Sequence, residues 1–204
     1  MFSRRSIALG AAATLLAGAA LAAPTALPDD MSLGPVNAKV QVIEYASLSC
    51  PHCAHFNETV FAPFKARWVD TGKARYTLKE MLTAPEQVAA AGFLMARCAG
   101  GPAKYFKVVD EVFRSQPRWE SGKIKPVLEE IGKANGVDET RFAACLQDQA
   151  ALDALSARAR RAFETDGVSS TPTLFINGKK IDPLPQSPAE MDAAIAQALK
   201  TGGR

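Results

Sequence analysis

The stretch Glu44-Tyr45-Ala46-Ser47-Leu48-Ser49-Cys50-Pro51-His52-Cys53-Ala54-His55-Phe56 decides the fold, because two periodicities meet in it. From Lys39 to Ala46 the chain is β-branched and aromatic, with Val40, Val42, Glu44 and Ala46 on one side and Gln41, Ile43 and Tyr45 on the other, which predicts a strand. Ser47-Leu48-Ser49 is the turn. Pro51 then sits where proline is tolerated, in the first turn of a helix whose apolar positions Cys53, Phe56, Val60, Phe61, Phe64 and Trp68 recur at helical spacing until Gly72 ends it.

Cysteines at i and i+3 on such a helix have unequal prospects. Cys50, at its opening, is expected to be exposed, and Cys53 to lie one turn beneath it. The unsatisfied N–H groups of the first turn, the positive end of the helix dipole and a donating or protonated His52 would all stabilise a Cys50 thiolate. A stable thiolate favours the dithiol over the disulfide, by roughly 30 mV for each pKa unit, and so makes the disulfide a better oxidant. The only two histidines, His52 and His55, both lie beside Cys50; His55, past the first turn, reads as a surface residue. Two other uses of the motif stay open: a zinc site, for which Cys98 and Cys145 are poorly spaced as single cysteines, and a purely structural small-loop disulfide.

Outward from this motif, Ala74 to Met81 reads as a second strand, making a right-handed β-α-β unit. Residues from Pro85 to Thr165 are helix-forming, with breaks at Gly100-Gly101-Pro102, Pro117, Gly122 and Asn135-Gly136, and predict four or five helices and no strand. Strand pattern returns at Thr173 to Ile176; Asn177-Gly178 predicts a type I′ hairpin turn. Ser187-Pro188-Ala189-Glu190 is a capping box that opens a last helix ending near Lys200. The expected plan is an α/β domain in two halves, residues 23–82 and 172–204, with residues 83–171 inserted as a helical subdomain.

The 204-residue chain carries 24 Lys and Arg against 21 Asp and Glu, a formal charge of +3, and is 48% hydrophobic; disorder and a nucleic-acid-coating polycation are excluded, and no nucleic-acid partner is implied. Arg4-Arg5 followed by the apolar run Ile7 to Ala22, closing on Ala20-Leu21-Ala22, reads as a signal peptide at residues 1–22 cut after Ala22. Either a short basic leader or a twin-arginine address fits Arg4-Arg5. Four cysteines in an exported chain allow three connectivities, of which near with near and far with far is the economical one. Cys98 and Cys145, 47 residues apart, would gain about 4 kcal/mol if joined, the alternative being two buried free thiols. The basic group Arg158, Arg160 and Arg161 reads as a solvated helix face.

The quoted stretch, with Ser170-Thr171-Pro172-Thr173, resembles the DsbA-like thiol:disulfide oxidoreductases, thioredoxin-fold proteins of the bacterial envelope, and the likeness spans nearly the whole chain after residue 22. It implies a thioredoxin fold with an inserted all-helical subdomain. It matches Cys50 to the attacking cysteine, Cys53 to the resolving one, and Pro172 to a cis-proline whose neighbour Thr171 offers backbone groups to an extended client. Glu44 matches a buried acid that relays a proton to or from Cys53, a solvated strand-end glutamate being the other reading. The implied function is donation of the Cys50–Cys53 disulfide to unfolded exported proteins in the periplasm, with no cofactor, and with reoxidation by a quinone-linked membrane partner of the DsbB type. A reductase or isomerase of the DsbC/DsbG kind shares the chemistry, but the segment before the first predicted strand is too short for the dimerisation domain of those proteins, so a monomer is expected. A holdase that keeps its cysteines for stability is the alternative of another class.

Overall fold

The computed structural model describes residues 23–201; the leader expected at residues 1–22 lies outside the described residues. Five strands form one sheet in the order β1-β3-β2-β4-β5. Its centre is β2 (Val40–Ala46), flanked by β3 (Ala74–Glu80) in parallel and β4 (Thr173–Ile176) antiparallel. Both faces of β2 are buried, which is why its sequence is apolar on both sides. Val40, Val42 and Ala46 pack in the main core with Cys53 and Phe56, whereas Ile43 and Tyr45 pack in a second cluster with Met81, Ala162 and Val168. β5 (Lys179–Ile181) closes the predicted hairpin, with Asn177 at φ 49° and Gly178 at φ 78°, as a type I′ turn requires. β1 (Met31–Leu33), antiparallel to β3, was not expected: three residues carry too little alternation to be read.

The helix after Cys50 is continuous in backbone conformation but changes winding, from α1 (Pro51–Phe56) through a π turn at Asn57–Phe61, α2 (Ala62–Phe64) and a second π turn at Lys65–Val69. Pro63 lies between the two π turns. It has no N–H to give and crowds the turn before it, so regular α-winding is not expected to persist there. The N–H of Ala62 reaches back to Asn57 O and that of Asp70 to Lys65 O, the wider spacing of a π turn.

Between β3 and β4 come α3 (Glu86–Ala99), α4 (Pro102–Ser115), a 3-10 stretch (Gln116–Ser121), α5 (Ile124–Ala134), α6 (Glu139–Gln147) and α7 (Gln149–Glu164). α8 (Pro188–Thr201) returns against the sheet. Its cap differs slightly from a capping box: Ser187 Oγ accepts from Glu190 N at 3.3 Å, but the Glu190 carboxylate accepts from Gln186 N, one residue before the cap. Cys98 on α3 and Cys145 on α6 form a disulfide with Cα atoms 6.3 Å apart.

One basic residue expected in solvent is instead built into the core. Glu80, at the end of β3 and 2% exposed, accepts from Arg97 Nε on α3 at 2.8 Å, Tyr105 Oη on α4 at 2.8 Å and Arg158 Nε on α7 at 2.6 Å. A carboxylate that deep requires several charged or polar donors, and Arg158 supplies one of them, while Arg160 and Arg161 remain exposed. Three helices are thereby tied to one strand end.

Candidate active site

Cys50 is the N-cap of α1, extended at φ −84° and ψ 119°, and its Sγ accepts from the N–H of Cys53 at 3.4 Å. Its N–H donates to Ser47 O at 3.0 Å and its carbonyl accepts from Ala54 N at 3.1 Å, so the turn and the first helical bond fix the sulfur. Contrary to the expectation of exposure, Cys50 is only 7% accessible, and Cys53 is fully buried. The reason is the opposite loop: the Thr171 carbonyl oxygen comes within 3.5 Å of Cys50 Sγ, and the Thr171–Pro172 peptide is cis. Two more X-Pro bonds, Ala84–Pro85 and Asp182–Pro183, are also cis. Between the start of the helix and the cis peptide lies a cavity of about 170 Å³ lined by His52, His55, Phe56, Thr171, Pro172 and Leu184.

The two sulfurs are electrostatically unlike. The Cys50 thiol is lowered to about 5, first by the hydrogen bond from the Cys53 thiol, then by the Thr171 side chain and the backbone N–H groups of Cys53 and His52, with burial opposing them. Burial, with the Cys50 sulfur and Glu44 adding to it, pushes Cys53 far above the ordinary thiol value. His52 thus acts on Cys50 through its backbone N–H; its side chain is exposed and faces the cavity. His55 is exposed as well.

Glu44 is 2% exposed on β2, and its Oε2 accepts from Tyr76 Oη on β3 at 2.7 Å. Burial raises its carboxyl to about 7, opposed by the Tyr76 hydrogen bond and helped by the charge on Cys50. A strand-end glutamate in solvent is therefore not what the chain contains. Among the described residues no three His, Cys, Asp or Glu side chains gather as a metal site, and no helix is long and apolar enough to cross a membrane.

Three features of the site escaped the sequence reading. Gln116, just after α4, donates through Nε2 to the carbonyls of Leu48 and Cys50 at 2.8 and 3.2 Å, so the helical segment grips the active-site turn. Ser47, Ser49 and Thr83 form a hydroxyl cluster under that turn, with Ser49 Oγ donating to Thr83 O at 2.8 Å and Thr83 N donating to Ser47 Oγ at 3.1 Å. The third is Tyr76. Ser47 and Ser49 stood in the quoted motif and could have been suspected as turn-fixing hydroxyls; nothing local marks Gln116 or Tyr76.

The chain resembles known proteins at three levels. The family model described as Thioredoxin matches residues 26–197. A protein-disulfide oxidoreductase of Rickettsia bellii is 30% identical over 173 residues, covering 84% of this chain and 65% of the relative; its counterpart in Rickettsia typhi is 30% identical over 151 residues, 74% of this chain and 55% of the relative. The chain spans less than two thirds of the length of these relatives. Among solved structures, alpha-DsbA1 of Wolbachia pipientis superposes with a TM-score of 0.78 at 24% identity over 86% of this chain and 94% of that one. BdbD of Bacillus subtilis gives 0.73 at 19% over 89% and 98%. At such identities the two structures speak for the fold alone, a thioredoxin fold with added helices, but a family model covering this much of the chain settles its membership: it belongs to the thioredoxin family.

Proposed function

We propose that the chain is an exported protein thiol:disulfide oxidoreductase that donates the Cys50–Cys53 disulfide to unfolded envelope proteins. The observation that carries this reading is the inequality of the two sulfurs: Cys50 is poised as an anion at about 5, and Cys53 is held as a thiol by its burial. A client thiolate attacks Cys50, the Cys50–Cys53 bond breaks, and Cys53 leaves with the electron pair and takes a proton. A second client thiolate then attacks the client sulfur of the mixed disulfide, and Cys50 departs as its stable thiolate. The low pKa of Cys50 makes it a good leaving group in that second step.

Glu44, buried on the face that packs with Cys53, supplies and recovers the Cys53 proton in this reading. Backbone groups at Thr171 and the cavity beside Pro172 receive an extended client. The names of the Rickettsia relatives agree with the activity, and residues 1–22 read as the leader that would deliver the chain to the periplasm. The reduced protein then needs an oxidant, for which a quinone-linked membrane partner of the DsbB type is the chemical match.

The test is stoichiometric oxidation of reduced, unfolded ribonuclease A by the disulfide form. Client thiols should fall by two for each protein consumed, Cys50→Ser should be inert, and Cys53→Ser, mixed with scrambled ribonuclease whose disulfides its Cys50 thiolate can attack, should accumulate the mixed disulfide while one client thiol is released. Reactivation of scrambled ribonuclease by the dithiol form, with no oxidation of the reduced client by the disulfide form, would overturn the reading.

A further inference from the structure

Tyr76 is a buried phenol with a single hydrogen-bonding role. Its ring packs against Phe61, Phe64 and Phe106, with centroids 4.4, 6.2 and 5.6 Å away, and phenylalanine would fill that space as well. The hydroxyl adds nothing to that packing and would be costly to bury without a partner. Its partner is the Glu44 carboxylate at 2.7 Å, and among the described residues Tyr76 is the one donor that carboxylate has. The register places the pair side by side, Val42 opposite Tyr76 and Glu44 opposite Leu78 on adjacent parallel strands.

We propose that Tyr76 is a positioning residue for thiol exchange: its hydroxyl holds the Glu44 carboxylate in place and stabilises its charged form, and so sets the pH at which Glu44 takes the proton of Cys53. The proposal rests on the reading of Glu44 as proton relay. The titratable groups that act on Glu44 are Tyr76 from β3 and Cys50 from the helix start; those that act on Tyr76 are Glu44, Tyr105 on α4 and Cys53. In the step concerned, a disulfide joins Cys50 to another thiol. The Cys53 S–H proton passes to the Glu44 carboxylate, the Cys53 sulfur forms a bond to Cys50 Sγ, and the Cys50 bond to the other sulfur breaks, that sulfur leaving as a thiolate with the electron pair. Tyr76 stabilises the carboxylate that must be present before this transfer. Without its hydroxyl the carboxyl keeps its proton to higher pH.

The experiment mixes the dithiol protein with dithiobis(nitrobenzoate) and follows two releases of coloured thionitrobenzoate across pH. The first release reports Cys50 attack and the second reports Cys53 attack. In Tyr76→Phe the midpoint of the second release should move up by about one to two pH units, the worth of one hydrogen bond to a charged acceptor, while the first is unmoved. The Glu44 carboxyl carbon, titrated by NMR in the same variant, should move with it. Glu44→Gln should lose the dependence, with or without Tyr76→Phe. An unmoved Glu44 titration in Tyr76→Phe overturns the proposal even where Glu44→Gln still abolishes the dependence, in which case the relay survives without Tyr76. If Glu44→Gln keeps the native profile, the relay itself is wrong and the role of Tyr76 in it falls too.

Discussion

Arg158 reaches Glu80 across the end of β3, its Nε donating to Oε2 at 2.6 Å with the two side chains 10% and 1% exposed. Arg97 and Tyr105 keep part of the carboxylate satisfied if Arg158 is removed. Arg158→Ala should therefore destabilise the disulfide form by the worth of one charge-assisted hydrogen bond, about 1.5–3 kcal/mol in chemical denaturation. Lys125→Ala, which breaks the exposed pair with Glu129, should leave the midpoint unchanged.

The Cys98–Cys145 bridge ties α3 to α6 across 47 residues of sequence. Replacing both cysteines by alanine should cost about 4 kcal/mol of stability through the freedom returned to the unfolded chain. Thiol counting and denaturation of the double variant check this. The first thionitrobenzoate release at Cys50 should be unaffected.

Stability should depend on pH in two opposed ways. Cys50 ionises at about 5 in the folded dithiol form against an ordinary 9.0, so its contribution is complete above 9.0 and is lost as pH falls through about 5. Glu44, raised from 4.5 to about 7, contributes below 4.5 and loses that contribution as pH rises through about 7. The stability of the dithiol form relative to the disulfide form should accordingly climb between pH 5 and 9. Glu44→Gln should remove the decline between 4.5 and 7. Denaturation midpoints of both redox forms across this range are the measurement.

Thr171 lowers the Cys50 thiol through its side chain. Thr171→Val keeps the shape and the carbonyl beside Cys50 Sγ and removes only the hydroxyl, so the Cys50 thiol should rise and the disulfide should become a weaker oxidant, by roughly 30 mV for each pH unit of the rise. Equilibration with glutathione at pH 7 reads the change. An unchanged potential would mean that the hydroxyl does not act on the sulfur.

What the sequence made legible is what is local. The helix-start cysteine pair, the hairpin at Asn177-Gly178 and the run of helices between two strand patterns each follow from residues within a few positions of one another. Glu44 was singled out through family likeness, and its burial follows from β2 lying between β3 and β4. What remained hidden joins residues remote in sequence. Gln116 meets Cys50 across 66 positions and Arg158 meets Glu80 across 78, and neither leaves a periodic trace. An arginine among arginines on a helix looks solvated until the carboxylate it serves is located. The winding change near Pro63 was readable in principle, since a proline inside a helical pattern signals a break.

One sulfur at the mouth of α1 is held as an anion, a state that the ultraviolet thiolate absorbance of the dithiol protein reads without any coupled reaction. Cys53 is raised too far to interfere, so one transition should be seen, centred at about 5 and absent in Cys50→Ser. A single transition near the value of a free cysteine, about 8.5, would contradict the account.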